Sequence, residues 1–306
     1  MTIKVGCCGF AASQKKYFAT LPVVEINRTF YEYLKDSLLA GWRRRAPEGF
    51  EFTVKAHQDL THRLRLRYGR EAEEALRKVH HECDILKARV LLFQTPGSFR
   101  FNDLSTAVDF FERADRAGRI FVWETRGSSW ETDEARRALA ERLAELDIPH
   151  VVDPLRLEPA YTGEKVAYFR LHGLGKRMYY YEHTDEELGR VAAVARKYED
   201  RVETVYVFFN NLAMFNDAVR FKTYLEEGEF PPLYDEPGLA SVRKLLSRAR
   251  FPATKSELDK RYGWRLVLLD DGTQVRFGEI LSRLPRGSRF TNLDEVLDAV
   301  SKVLKG

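Results

Sequence analysis

The chain of 306 residues is 44% hydrophobic and 31% charged, enough for one large domain or two with a real core. Its 50 basic and 46 acidic residues leave a net charge of +4, too mild to mark a dedicated nucleic-acid binder, and no apolar run is long enough to span a bilayer. The three cysteines, Cys7, Cys8 and Cys83, offer neither zinc spacing nor a disulfide framework, because adjacent Cys7 and Cys8 point to opposite faces of a strand.

The first ten residues, "MTIKVGCCGF", lack the basic, then apolar, then small pattern of a secretory signal, so a cytoplasmic protein is expected. High charge with only four glutamines fits a heat-adapted source. Residues 3–10 read as a first strand, and "VGCCGFAAS" does not match the G-x-G-x-x-G turn of a dinucleotide-binding sheet. A second strand at 23–27 opens "VVEINRTFYEY", in which Glu25 and Asn27 interrupt the apolar Val23, Val24 and Ile26. "WRRRAP" at 42–47 and "THRLRLRYGR" at 61–70 concentrate arginine. Such runs suit phosphate or carboxylate, or else form a solvated, salt-bridged surface.

Further strands follow at 50–56, 90–94, 120–124, 150–152, 166–172 and 204–209. Most gaps between them carry helical periodicity. "REAEEALRKVHHECDIL" places Ala72, Leu76, Val79 and Cys83 on one face, with His80 and His81 read as surface. "ETDEARRALAERLAEL" starts with Thr132 or Asp133 as a helix cap, and "HTDEELGRVAAVARKYED" and "NLAMFNDAVRFKTYLEE" repeat the pattern. Eight strands alternating with helices predict an α/β fold, a closed TIM (β/α)8 barrel, over an open doubly wound sheet.

Prolines 231, 232 and 237 cluster in "EGEFPPLYDEPGLA", which predicts a barrel domain over 1–235 and a small α+β module over 236–306. In that module "ATKSELDKRYG" begins a capped helix, "WRLVLLDDGTQVRF" a hairpin about Asp271-Gly272, and "TNLDEVLDAVSKVL" a closing amphipathic helix. The order is winged-helix-like, which raises nucleic-acid contact as one role beside simple packing or dimerisation.

Polar side chains gather at the strand ends. Glu25 and Asn27 share a parity, as do Lys55 and His57 in "EFTVKAH"; Gln94 ends "VLLFQ", and Glu124 and Arg126 end "FVWETR". Tyr168, Arg170 and His172 alternate in "YFRLH", and Asn210 and Asn211 close "VYVFFNN". Unpaired buried charge costs several kcal/mol, whereas at the C-terminal mouth of a barrel the same groups meet water and ligand.

Taken in order, "VEINRTFYEY", "FTVKAHQDLTH", "LLFQTPGSF", "WETRGSSW", "FRLHG" and "VYVFFNN" closely resemble the YecE-like family, domain of unknown function 72, over about residues 3–233. The resemblance implies a TIM barrel. It also implies a pocket lined by Glu25, Asn27, Tyr31, Lys55, His62, Gln94, Glu124, Arg126, Trp130, Arg170, His172, Asn210 and Asn211. It implies no reaction. Cys8 stands where the family commonly has a hydroxyl, which leaves that side chain's role open.

Three cations, Lys55, Arg126 and Arg170, face the two carboxylates Glu25 and Glu124, so an anionic ligand is favoured: a phosphate, a sugar phosphate or a nucleic-acid backbone. Arg126 and Arg170 are read as a bidentate clamp, and the turn into the last barrel helix, "NNLAMF", as a phosphate seat. For an enzyme, Glu124 is the expected acid or base, held ionised by the cations, with His172 a second proton carrier, Lys55 stabilising negative charge and Glu25 beside them. Tyr31 and Trp130 would stack on a flat ring. The reading is of a hydrolase or lyase on a phosphate-bearing substrate. Its alternatives are a metal-dependent sugar isomerase or hydrolase using Glu25, Glu124 and His172, a non-catalytic anion or nucleic-acid binder, and a purely structural ion network. No cofactor is required by these residues, and a divalent metal stays open.

Overall fold

A computed structural model describes residues 3–305. It comprises two compact units: one runs to Leu171 and adds Val191–Asn210 and Met214–Val219, and the other takes His172–Arg190, Asn211–Ala213 and the chain from Arg220 onward.

The first unit is a barrel. Strands β1 Ile3–Cys7, β2 Val23–Ile26, β3 Glu51–Lys55, β4 Val90–Gln94, β5 Ile120–Glu124, β6 His150–Val151, β7 Val166–Leu171 and β8 Thr204–Phe209 form one parallel sheet. Their order is β6-β5-β4-β3-β2-β1-β8-β7, and a parallel bridge between Val152 and Phe169 joins the two edges. Across that bridge the Arg170 amide donates to the Val152 carbonyl at 3.0 Å, so the sheet closes on itself. In chain order the helices are α1 Gln14–Thr20, α2 Asp36–Arg45, α3 Arg70–Leu86, α4 Leu104–Arg113, α5 Asp133–Leu146, α6 Asp185–Arg196 and α7 Met214–Glu227. All eight expected strands are present, and Thr132 caps α5 by accepting from the Ala135 amide at 3.2 Å.

Alternation sorts the strand residues. Val23, Val90, Leu92, Val122, Val151, Val166, Tyr168 and Phe208 point inward and pack together. Near the strand starts, Lys4 donates to Glu51 at 2.5 Å and Tyr206 to its other oxygen at 2.7 Å, a polar floor with both partners satisfied. One layer up, the Thr53 and Tyr168 hydroxyls meet at 2.9 Å. Gly6 belongs here because a Cβ on it would lie 2.4 Å from the Val23 carbonyl and 2.9 Å from the Phe208 ring. Gly6→Ala should therefore force two strands apart and lower the unfolding free energy by about 1–3 kcal/mol, read from a denaturant midpoint. A midpoint within error of wild type would contradict this packing.

Surface arginines account for the basic runs. Arg43 donates to the Phe50 carbonyl and Arg45 to Gln14, at the C-terminal turn of α2 where positive charge opposes the helix dipole. Arg63 pairs with Asp59 and Glu71, and Arg65 with Asp103. His80 corrects the surface reading of α3: its ring is buried, with Nε2 against the Asp115 carbonyl at 2.9 Å and Nδ1 against Arg119. His81 is exposed beside Asp36.

The second unit has its own core. Helix α8 Leu239–Leu245, strand β9 Ala253–Thr254, helix α9 Lys255–Tyr262, the hairpin β10 Leu266–Leu268 and β11 Gln274–Arg276, helix α10 Phe277–Ser282, strand β12 Arg289–Phe290 and helix α11 Leu293–Lys305 follow in order. The expected hairpin about Asp271-Gly272 and the capped helix are both present, Thr254 and Glu257 capping α9 reciprocally. Val242, Leu258, Val267, Phe277, Leu281 and Val300 form the centre of that core.

Candidate functional site

The inward residues of the last layer are Glu25, Lys55, Gln94, Glu124 and Arg170, with Cys8 just beyond β1. Arg170 organises them. Its Nε donates to Glu25 Oε2 at 3.0 Å and its Nη2 to Glu25 Oε1 at 2.8 Å, a two-pronged contact, while Nη1 donates to Glu124. Nη2 also reaches Asn27 Oδ1 at 3.4 Å and Cys8 Sγ at 3.5 Å. Tyr168 donates to Glu25 at 2.7 Å and Asn27 Nδ2 does so at 2.8 Å. Arg126 Nε donates to the second Glu124 oxygen at 2.9 Å.

Burial alone would push the Glu25 carboxyl up. The Arg170 charge and the bonds from Tyr168, Cys8 and Arg170 overcome it and hold the group below the ordinary carboxylate range. Burial acts against the Arg170 cation too, yet Cys8, Glu124 and Glu25 around it keep it charged. The Cys8 thiol is driven up by burial and, beyond the opposing Arg170, by Glu25, so it serves as a neutral, weak acceptor.

These contacts correct two readings. Arg170 cannot clamp a ligand, because it is 0% exposed and its guanidinium is committed to two carboxylates. Glu25 likewise is fully enclosed and saturated by Arg170, Tyr168 and Asn27, so it positions Arg170 and does not reach a substrate. Asn27 is part of the same network. Glu25, Asn27, Tyr168 and Arg170 thus form a buried ion and hydrogen-bond network in this half of the layer.

Lys55 is different. Its side chain lies on the same layer at 6% exposure, yet no carboxylate hydrogen-bonds its ammonium among the described residues. The ammonium sits 3.9 Å from the centre of the Phe30 ring, which the short helical turn Arg28–Phe30 carries over from the end of β2. Thr29 in that turn donates to the Ile26 and Lys55 carbonyls at 2.8 and 2.7 Å, tying β2 to β3 at this point. On α3, Glu82 accepts from the Leu34 amide at 2.6 Å and anchors the far end of the same loop. Burial, aided by the nearby Arg170 charge and offset in part by Glu124 and Glu25, brings the Lys55 amine down to about 8.

His62 packs edge-on against the same Phe30 ring at 4.9 Å, and its Nδ1 meets Thr61 Oγ1 at 2.9 Å. Burial and then the Lys55 and Arg126 charges lower its pKa, so it is neutral at pH 7. Gln94, paired in register with Glu124, is buried while its amide makes no hydrogen bond to other described residues. Tyr31 is 68% exposed beside Phe30. His57 is occupied elsewhere, stacked on Tyr33 at 4.0 Å and against Asp59.

Trp130 is a further correction. It is 2% exposed, its Nε1 donates to the Phe99 carbonyl at 2.9 Å, and its ring packs on Phe99 and Trp123, so it stiffens a loop and offers no stacking face. Asn210 follows β8, its amide bonded to the Leu171 carbonyl at 2.8 Å. His172 and Asn211 belong to the second unit. There His172 lies against the Tyr179 ring at 6.0 Å and Asn211 Nδ2 donates to the Tyr181 carbonyl at 2.8 Å. Helix α7 carries an acidic residue, Asp217, in its own first turn, which disfavours the predicted phosphate seat there. Phe30 was not legible as a site residue; its only signal was its place three residues beyond Asn27.

Among the described residues no group of three or more His, Cys, Asp and Glu side chains could hold a metal ion, and both site carboxylates are engaged by arginine. The donor set does not favour the metal-dependent alternative. No helix among the described residues is long and apolar enough to cross a membrane.

A family model described as "Protein of unknown function DUF72" matches residues 11–236, and one described as "Family of unknown function (DUF5789)" matches 238–305. The chain is similar to a DUF72 family protein of Thermotoga maritima MSB8, with 26% identity over 74% of this chain and 100% of that one, at a TM-score of 0.60. A DUF72 family protein of Enterococcus faecalis V583 is 21% identical over 74% and 98% of the respective chains, at a TM-score of 0.61. No curated protein matches.

Proposed function

The chain belongs to the DUF72 family of TIM-barrel proteins, and because that family's description assigns no reaction, we propose from the site's own chemistry that it is an enzyme, a hydrolase or lyase, acting on a phosphate-bearing substrate. The observation that carries this reading is Lys55. It is an enclosed cation at the end of a barrel strand, stacked on Phe30, with no hydrogen-bonded carboxylate among the described residues. Two carboxylates against Lys55, Arg126 and Arg170 leave the layer with one positive charge in excess, which an anion would neutralise. The open amide of Gln94 supplies a neutral donor, and exposed Tyr31 a ring face for a sugar or base. In this arrangement Glu124, held by Arg170 and Arg126 at the edge of the network, is the acid–base residue. His62, neutral at pH 7 and packed on the Phe30 ring under Lys55, is the second proton carrier. A nucleotide or nucleic-acid phosphate is one form of such a ligand.

The test is turnover of a panel of sugar phosphates, nucleotides and abasic oligonucleotides by wild type and Glu124→Gln. Removing the acid–base group should cut turnover of any accepted compound by about 10²–10⁴-fold. Inorganic phosphate should still bind, since Lys55 is retained. Equal turnover by the two proteins would remove Glu124 from the chemistry. Binding with no turnover of any phosphate compound would leave a binding protein, contrary to the proposal.

A further inference from the structure

Lys55 has a second chemical capacity besides charge. Resting on the proposed reading of this site, we infer that the Lys55 amine forms an imine with the carbonyl of a phosphorylated aldehyde or ketone, so that the substrate class is a phosphate-bearing carbonyl compound. Three features of the layer support this. The amine is enclosed against an aromatic ring and has no hydrogen-bonded acid, so its lone pair is not committed once a proton leaves. Enclosure on the inward side of the layer, with Arg170 nearby and offset in part by Glu124 and Glu25, disfavours the charged form of the amine, the setting that activates amine nucleophiles. Glu124 ends β5 in the same inward layer and His62 packs on the same Phe30 ring, so two proton carriers share its surroundings.

The steps balance. The neutral amine's lone pair forms the N–C bond, the carbonyl π pair moves to oxygen, and that oxygen takes a proton. The nitrogen of the resulting carbinolamine gives up one proton. The hydroxyl then accepts a proton and leaves as water while the nitrogen pair forms the C=N bond. The sum consumes one amine, one carbonyl and one proton from solvent, and yields a protonated imine and one water. The iminium withdraws electrons from the neighbouring carbon, where Glu124 can accept a proton. That step is the first of a β-elimination of phosphate or of an isomerisation.

At neutral pH an amine with a pKa of about 8 is free on the order of 100-fold more often than an ordinary lysine at 10.5. The experiment incubates the full chain with glyceraldehyde 3-phosphate at pH 7.5, reduces with borohydride, and maps the adduct by peptide mass spectrometry. Adduct at Lys55 should exceed that at any other lysine by about tenfold, and excess inorganic phosphate should suppress it there alone. Glyceraldehyde without phosphate should give markedly less. Adduct spread over surface lysines with Lys55 unmodified overturns the inference. If phosphate binding measured by calorimetry persists in that case, only the imine fails. If phosphate binding is absent as well, the anion-site reading fails with it. Lys55→Arg, which keeps the charge and cannot form an imine, should retain phosphate binding and lose the adduct.

Discussion

Replacing Arg170 by methionine is expected to cost about 3–5 kcal/mol of unfolding free energy, the largest loss predicted for any single substitution in this layer. The cause is not the removed attraction alone. Glu25 is fully enclosed, and Arg170 supplies two of its hydrogen bonds and its ion pair; Glu124 would keep Arg126 but lose its inner partner. Methionine fills similar volume and leaves a carboxylate in a dry interior. The pH dependence carries the signature. In wild type the Glu25 pKa is depressed, so its contribution is present above the unfolded value near 4.5 and is lost as pH falls through the lower folded value. Without Arg170, burial dominates and the folded pKa moves above the unfolded one. The deficit of Arg170→Met should then be greatest at neutral pH and shrink toward pH 4, as the orphaned carboxyl takes a proton. Urea midpoints at pH 7 and pH 4 decide this, provided the slope stays constant. Arg170→Lys should recover only part of the loss, since one ammonium cannot make the forked contact to Glu25 and also reach Glu124. A variant as stable as wild type at pH 7 would show that this network does not hold the barrel together.

Much of this layer was legible because strand alternation is a strict rule. Glu25, Lys55, Glu124 and Arg170 share the inward parity of their strands, and a period of two puts such residues on one side whatever the details of packing. What alternation cannot give is stagger. Whether Arg170 faces a ligand or two glutamates depends on how far β7 is shifted along the barrel against β2 and β5, a tertiary quantity with no local signature. The same limit explains Trp130. An aromatic just past a barrel strand looks available, but the turn Ser128–Trp130 folds it back under Phe99, and only that contact, 31 residues away in sequence, determines its burial. His80 is similar: it adjoins the apolar face of α3 through Val79, yet its burial is set by a carbonyl 35 residues on. Phe30 becomes part of the site because a helical turn after β2 lays it beneath a lysine from β3. Local pattern located the strand ends, while long-range register decided which end groups neutralise one another and which one is left over.

Among the described residues of this layer Lys55 is a cation with no hydrogen-bonded carboxylate, and Lys55→Met should separate stability from function. The folded protein holds this amine near 8, below its unfolded value of 10.5, so the charged form is disfavoured by folding. Protonating Lys55 in the folded state costs stability below pH 8, and that cost disappears as pH rises from about 8 to 10.5, where the unfolded chain alone carries the proton. Removing the amine removes the cost, so Lys55→Met should melt at a higher temperature than wild type at pH 7. The same change should abolish binding of inorganic phosphate. In wild type, affinity should fall roughly tenfold per pH unit above about pH 8 as the ammonium deprotonates, over a range where phosphate keeps its dianionic charge. Glu25, Glu124, Arg126 and Arg170 face the same amine and stay charged across this window, so titration of Lys55 itself sets the midpoint. His62, neutral across this window, contributes no slope. Phosphate, once bound, must raise the Lys55 pKa by the same coupling, so its binding above pH 8 should be accompanied by proton uptake that calorimetry in buffers of different ionisation enthalpy can count. Binding that ignores pH, or a methionine variant that binds phosphate as wild type does, would place the anion elsewhere and leave Lys55 without a role.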